Sequence, residues 1–322
     1  MLFFFFGIYL IIKVRYINRR LFMKIAFSGL GRMGIGLSRR LKEKGHEVFG
    51  FDRNQHCTKE ASSYGVKCFG TYKEMFEAFG DDRRVLWIMV PQSAVDDVIN
   101  EALPYLKEGD LIIDGGNSYY KDSIRRYNTL KEKSIKFLDI GTSGGVWGYE
   151  RGFSLMVGGD KEDFDFISPI LKDLANEGVG FGYMGGPGMG HFVKMVHNAV
   201  EYGMMESIAE GLDLIKTSKP EVDLKEAVRV WTKGSVVASW LMDLTYKALC
   251  DFGLLEEIKP YVEDTGEGRW SVIEAVNEGV AMPSISNALF MRFRSREQES
   301  FRDRVLAALR YEFGQHKFKK DE

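Results

Sequence analysis

From Met23 onward, short runs of apolar and β-branched residues alternate with stretches of helical spacing. Lys24–Ser28 reads as a strand, the next segment as a helix through about Lys44, and His46–Phe51 as a second strand, which together make a βαβ unit. Further apolar runs at Val85–Val90, Leu111–Asp114 and Ile135–Ile140, each separated by helical spacing, predict a parallel sheet covered on both faces. The expected class is an α/β doubly wound sheet. After Gly178 the texture changes. Gly182, Gly185, Gly186, Pro187, Gly188 and Gly190 read as a breaker-rich hinge, and a long helical pattern starts near His191. Little strand signal follows, so an all-α C-terminal domain is expected, with Pro220, Pro260 and Pro283 marking helix boundaries. The expected division is a leader over residues 1–22, an α/β domain over 23–182 and a helical domain over 183–322.

The leader stands apart from this pattern. Met1 to Ile12 is nearly all apolar and is followed by Lys13-Val14-Arg15 and Arg19-Arg20. The run falls short of the roughly 20 residues that span a bilayer, and no Ala-x-Ala cleavage site follows it. A non-native or disordered leader from an upstream start is expected, with an interfacial segment as the alternative. Over all 322 residues the apolar share of 45% and charged share of 28% are those of an ordinary globular chain. A net charge of -2 offers no basic field for nucleic acid, so any anion must be captured locally. Cys57, Cys68 and Cys250 have no paired spacing, which argues against disulfides and against a metal site and fits a reducing cytoplasm.

The first strand runs into Gly29-Leu30-Gly31-Arg32-Met33-Gly34, a G-x-G-x-x-G between a strand and a helix. The first glycine permits the tight turn, the second lets the backbone approach a pyrophosphate, and the third lets helix and strand pack closely. The helix N-terminus adds amide donors and a positive dipole end. Alone the motif is weak, since any tight strand-to-helix turn can carry it. Asp52, at the end of the second strand, adds a carboxylate placed to accept from ribose hydroxyls, and together they predict a Rossmann-type dinucleotide site. That carboxylate would repel a 2′-phosphate, so NAD is favoured. Arg53 beside it could stack on adenine or grip a 2′-phosphate, which keeps NADP as the alternative. Met89-Val90-Pro91 either runs beside the cofactor through Val90 and Pro91 or is simply a strand end closed by proline.

The helix after the hinge carries Lys194, His197, Asn198, Glu201 and Tyr202 at i, i+3, i+4, i+7 and i+8, all on one face. Val196, Ala199, Val200 and Gly203 lie opposite, so the plainest reading is a polar stripe in water. A base, an acid, an imidazole, an amide and a phenol also suit oxidation followed by loss of carbon dioxide. Lys194 would take a hydroxyl proton, and Glu201, roughly 10 Å further along the axis, would protonate carbon. Ser143-Gly144-Gly145 offers a hydroxyl and backbone amides to a carboxylate. Asn117, in Asp114-Gly115-Gly116-Asn117-Ser118, sits at a strand end where open sheets bind ligands, and could serve substrate or nicotinamide. Arg292, Arg310 and His316 are candidate phosphate ligands, although by themselves they read first as surface charges.

The run Gly188-Met189-Gly190-His191-Phe192-Val193-Lys194-Met195-Val196-His197-Asn198, followed by Glu201-Tyr202-Gly203, resembles the signature helix of the decarboxylating 6-phosphogluconate dehydrogenase family, in its short form within the β-hydroxyacid dehydrogenase superfamily. The glycine motif, Asp114-Gly115-Gly116-Asn117, Ser143-Gly144-Gly145, Arg292 and the tail Arg310-Tyr311-Glu312-Phe313-Gly314-Gln315-His316 join it in order, so the resemblance runs from Met23 to the C-terminus. It implies oxidative decarboxylation of 6-phosphogluconate to ribulose 5-phosphate, in the pentose phosphate pathway and gluconate utilisation. Lys194 would be general base and Glu201 general acid. Ser143, Gly144, Gly145, His197 and Asn198 would surround the sugar acid. Tyr202 and Arg292 would hold its phosphate, helped by Arg310 and His316 of a neighbour in a homodimer or homotetramer. Two departures stand out. Thr265 occupies the position of a lysine in the long form, and Asp52 replaces the Asn of the Asn-Arg-Thr usual in NADP users. A 3-hydroxyisobutyrate-type dehydrogenase shares the Lys-x-x-x-Asn helix motif but has no need of the acid at Glu201. A dinucleotide sensor without chemistry would need neither Lys194 nor Glu201.

Overall fold

The computed structural model describes residues 22–315 together with 317 and 319. All of the expected leader except Phe22 lies outside the described residues, as does His316. Two compact units divide the chain, one ending at Met195 and the other starting at Val196.

The first unit is built on one eight-stranded sheet in the order β3-β2-β1-β4-β5-β6-β7-β8. Its strands are β1 (Lys24–Ser28), β2 (Glu47–Phe51), β3 (Lys67–Cys68), β4 (Val85–Ile88), β5 (Leu111–Asp114), β6 (Lys136–Ser143), β7 (Ser154–Gly159) and β8 (Phe181–Gly185). Between them run α1 (Arg32–Glu43), α2 (Gln55–Ser63), α3 (Tyr72–Glu77), α4 (Gln92–Ala102), α5 (Tyr120–Lys131), the single turn α6 (Gly148–Arg151) and α7 (Lys161–Leu174). Side chains alternate across the sheet, so Ile25, Phe27, Val85, Trp87, Leu111 and Ile113 enter one core while Ala26, Leu86, Ile88 and Ile112 enter the other. Burial on both faces explains why these strands read as continuous apolar runs. The doubly wound α/β expectation holds.

Two features of the sheet differ from the sequence reading. β7 runs antiparallel to β6. Residues 144–153 between them carry one 3-10 turn and the short α6, too little chain for the crossover that a parallel partner requires. The run expected to be a hinge contains β8, which pairs in parallel with β7. Gly188 and Gly190 of the run, and Gly158 of β7, serve close packing: a Cβ on Gly190 would lie 2.4 Å from Asp139 O, and one on Gly158 2.5 Å from Gly190 N. The start of the long helix is thereby seated on the sheet, which is why the first unit extends to Met195.

That helix, α8 (Met189–Lys216), opens in the first unit and continues in the second without a break. The second unit adds α9 (Leu224–Trp231), α10 (Trp240–Phe252), α11 (Glu267–Glu278), α12 (Pro283–Arg294) and α13 (Phe301–Gly314), with no strand among its described residues. Pro220 and Pro260 fall between helices and Pro283 opens α12. Asp223, Ser239 and Ser300 cap α9, α10 and α13 with side-chain oxygens. Leu224, Val228, Met242 and Leu249 form one small core, and Tyr202, Ala288 and Leu289 another. Among the described residues no helix is long and apolar enough to cross a membrane.

Candidate active site

β1, β2, β4, β5 and β6 run in parallel, so their carboxyl ends share one edge of the sheet. At the end of β1 the three motif glycines prove to have different physical reasons. Gly29 has φ +96°, and a Cβ there would lie 2.6 Å from Met89 O. Gly34 sits in the first turn of α1, where a Cβ would come within 2.1 Å of Gly29 O. Gly31 has an extended backbone that any residue adopts, and a Cβ on it would meet nothing within 4 Å. The fold itself therefore demands the first and third glycines but not the second. Space kept clear at Gly31, at the N-terminus of α1, suits an approaching pyrophosphate.

Asp52 is tied to this loop. Leu30 N donates to its Oδ2 at 2.6 Å and Asn54 N to its Oδ1 at 2.7 Å, which fixes the carboxylate while leaving lone pairs for ribose hydroxyls. Beside it opens a cavity of about 270 Å³ walled by Gly29, Gly31, Asp52, Arg53, Val90 and Pro91. The Val90-Pro91 turn thus belongs to the slot as well as ending its strand. Leu30 is buried, whereas Arg32 is exposed and Met33 half-buried. Tyr72, which also lines the slot, has its phenol pushed up to about 12, by burial first of all.

At the end of β5, Asp114 accepts from Arg126 Nη1 at 3.0 Å, Ser118 Oγ at 2.8 Å and Gly116 N at 3.2 Å, which fixes the turn that exposes Asn117. Gly115 is required by Trp87, whose Nε1 would lie 1.9 Å from an added Cβ. β6 carries the seat of the Lys194 turn. Asp139, fully buried, accepts from Gly188 N at 2.7 Å and His191 N at 2.8 Å and so caps α8. Burial pushes its carboxyl up, while the electrostatic influence of His191 and these two amides oppose the rise. Two residues on, Gly141 leaves room for the lysine: a Cβ there would lie 2.2 Å from Lys194 Cβ. Ser143 ends the strand, and Gly144 and Gly145 follow at φ +132° and +53°, the latter exposed.

Within the second unit the polar stripe does not meet water as a plain amphipathic helix would. Tyr202 is buried at 8% exposure, whereas Val200, placed on the apolar side, is 47% exposed. The Arg292 guanidinium lies 3.7 Å over the Tyr202 ring centre, and Thr265 N donates to Tyr202 Oη at 3.4 Å. Arg292, Tyr202 and Thr265 are thereby brought together. Asn198 Nδ2 donates to Glu267 Oε1 at 3.0 Å, and Asn198 Oδ1 stands 3.1 Å from His197 Nδ1. Glu201 is half-buried on the same helix. Arg310 is exposed on α13 and lines a separate cavity with Arg294, Asp303 and Arg304, whose walls include neither Tyr202 nor Arg292. Sequence reasoning missed Asp139 and Glu267. The first was detectable as an acid inside an apolar strand, but Glu267 carried no local signal beyond its place after Thr265-Gly266.

The comparisons with known proteins agree across the two units. A family model described as the NAD binding domain of 6-phosphogluconate dehydrogenase matches residues 24–185, and its C-terminal domain model matches residues 190–322. The chain belongs to the 6-phosphogluconate dehydrogenase family. YqeC of Bacillus subtilis (strain 168) is 44% identical over 294 residues, covering 91% of this chain and 98% of that protein. The NAD(+)-dependent decarboxylating 6-phosphogluconate dehydrogenase of Haloferax volcanii is 38% identical over 296 residues, again 91% and 98%. The 6-phosphogluconate dehydrogenase of Plasmodium falciparum, solved in complex with its cofactor NADP+, superposes with a TM-score of 0.79 at 29% identity, covering 92% of this chain and 66% of that one.

Proposed function

We propose that the chain oxidises and decarboxylates 6-phosphogluconate to ribulose 5-phosphate and carbon dioxide, with Lys194 as general base, Glu201 as general acid and NAD as the preferred cofactor. The seating of the Lys194 turn carries this reading: Asp139 and Gly141 fix it on the same sheet edge that bears the cleared Gly31 loop and Asp52. Bound NAD would supply the hydride acceptor. As hydride leaves the substrate carbon, Lys194 takes the proton of its hydroxyl. The ketone so formed lies β to the carboxylate, so carbon dioxide departs and its bonding electrons remain as an enediolate. Protonated Lys194 stabilises the oxygen charge. Glu201, two turns along α8, then delivers a proton to the carbon that lost carbon dioxide.

Asn117, Ser143, Gly144, Gly145, His197 and Asn198 are assigned to the sugar acid, and Tyr202 and Arg292 to its phosphate. The guanidinium already stacked on the phenol supports the last pair. Arg310, away from that pair within its own chain, is assigned with His316 to a neighbouring subunit of a homo-oligomer. NAD is favoured because the anchored Asp52 carboxylate offers acceptors to ribose hydroxyls and repulsion to a 2′-phosphate. The free thiols of Cys57, Cys68 and Cys250 support a reducing, cytoplasmic setting.

The test is an assay of the purified full chain with 6-phosphogluconate and each nicotinamide, following reduced cofactor and carbon dioxide together. Equal amounts of both are expected, with higher kcat/KM for NAD. Reduced cofactor without carbon dioxide would indicate a simple alcohol dehydrogenase. Lys194→Met and Glu201→Gln should each lose at least about 10²-fold in turnover, the scale of general acid or base catalysis. Near-normal turnover in either variant overturns the role given to that residue.

A further inference from the structure

We infer that Glu101, at the end of α4, is a positioning residue that sets cofactor choice by holding Arg53 away from a 2′-phosphate. The inference rests on the NAD reading above and extends it to a residue outside the glycine loop. Ala94 and Val98 of α4 line the adenosine slot, and Glu101 follows them at i+7 and i+3, on the same face one turn further along. From there its Oε1 accepts from Arg53 Nη2 at 2.5 Å. Arg53 is the one cationic side chain among the described residues that line this slot.

The consequence is electrostatic. A 2′-phosphate brings a double negative charge to a slot lined by Asp52 and Arg53, whose guanidinium Glu101 holds. Asp52 is pinned by two backbone amides and cannot swing aside, so only the Arg53–Glu101 pair can rearrange. The Tyr72 phenol in the slot wall registers all three charges: after burial and its hydrogen bond to Ser28, Glu101 and Asp52 raise its pKa and Arg53 lowers it. NAD carries hydroxyls there and makes no claim on the guanidinium, so it loses nothing to the pair. The side chains of Arg53 and Glu101 are 68% and 46% exposed, and such pairs contribute little to folding. Removing Glu101 should therefore act on ligand choice and not on the fold.

The experiment compares kcat/KM for NAD and NADP in wild type, Glu101→Gln, Arg53→Gln and the double variant, with thermal melting as the control for folding. Glu101→Gln should raise kcat/KM for NADP about two- to fivefold, from release of the Arg53 guanidinium from its exposed ion pair. The value for NAD should change far less, and melting should be unmoved. In the Arg53→Gln background the NADP gain should disappear, because Glu101 acts through that guanidinium. A wild type that already favours NADP would overturn the NAD reading itself. A wild type that favours NAD, combined with a Glu101→Gln variant whose NADP kcat/KM is unchanged, would overturn this inference alone. So would a gain that survives without Arg53.

Discussion

Gly141→Ala puts the seating of the catalytic lysine to a direct test. The added Cβ would lie 2.2 Å from Lys194 Cβ and 2.9 Å from both Lys194 Cγ and Gly190 O. Carbon atoms rest at about 3.5–4.0 Å, so the two elements must separate by on the order of 1.3 Å or more. Neither side yields easily. β6 is paired to β5 and to β7, and the start of α8 is held by Asp139 and by the backbone-on-backbone contact at Gly158 and Gly190. Overpacking of this kind costs about 1–3 kcal/mol, or a fall of roughly 2–12 °C in melting temperature at about 2–4 °C per kcal/mol. Displacement of a reacting group by about 1 Å can cost on the order of 10²-fold in rate. The expected outcome is therefore a folded protein with kcat reduced about 10²-fold, and NADH binding, followed by fluorescence, nearly unchanged because the glycine loop lies on β1. Gly186→Ala is the control. Its Cβ would meet nothing within 4 Å and should be silent. Wild-type kcat and melting in Gly141→Ala would refute the argument that this strand positions Lys194.

Three further outcomes follow from the same geometry. Gly31→Ala should fold and melt normally yet raise KM for NAD at least about tenfold, since only the cofactor needs that space, whereas Gly34→Ala should melt early because its Cβ strikes Gly29 O at 2.1 Å; normal NAD affinity in the former would remove the main support for the pyrophosphate subsite. Hydrogen bonds from Arg269 and then Arg296 hold the Asp264 carboxyl at about 2, against an ordinary 3.8. A lowered folded-state pKa contributes stability above the unfolded value and loses it as pH falls through the folded one. Asp264→Asn should therefore lower melting at pH 7, and the gap to wild type should close between pH 4 and 2; a gap constant over that window would contradict the assignment. Mixing Arg310→Ala with Lys194→Met protein should, after subunit exchange, restore activity above the sum of the parents, and no recovery despite confirmed exchange would place the site within one chain.

The sequence alone determined what depends on local order. Strands buried on both faces must be apolar throughout, so β1, β2, β4, β5 and the core of β6 were readable from their runs. The glycine loop and Asp52 were readable because a strand, a tight turn and a helix must follow one another in a single stretch of chain. The face shared by Lys194, His197, Asn198, Glu201 and Tyr202 follows from helix periodicity in the same way. What tertiary structure decided was every question of which distant segment lies opposite. Periodicity shows that Tyr202 and Val200 lie on different sides of α8 but not which side is covered, and Leu289, Gly268 and Arg292 cover Tyr202. A glycine shows that something needs to be small without showing why: Gly29 is needed for its turn, Gly34 and Gly141 for neighbouring atoms, and Gly31 for nothing in the chain itself. The strand β8 inside a run of breakers, the Asp139 cap and the Arg53–Glu101 pair all join residues far apart in sequence. Their partners are chosen by the packing of the whole sheet, and no local pattern encodes that choice.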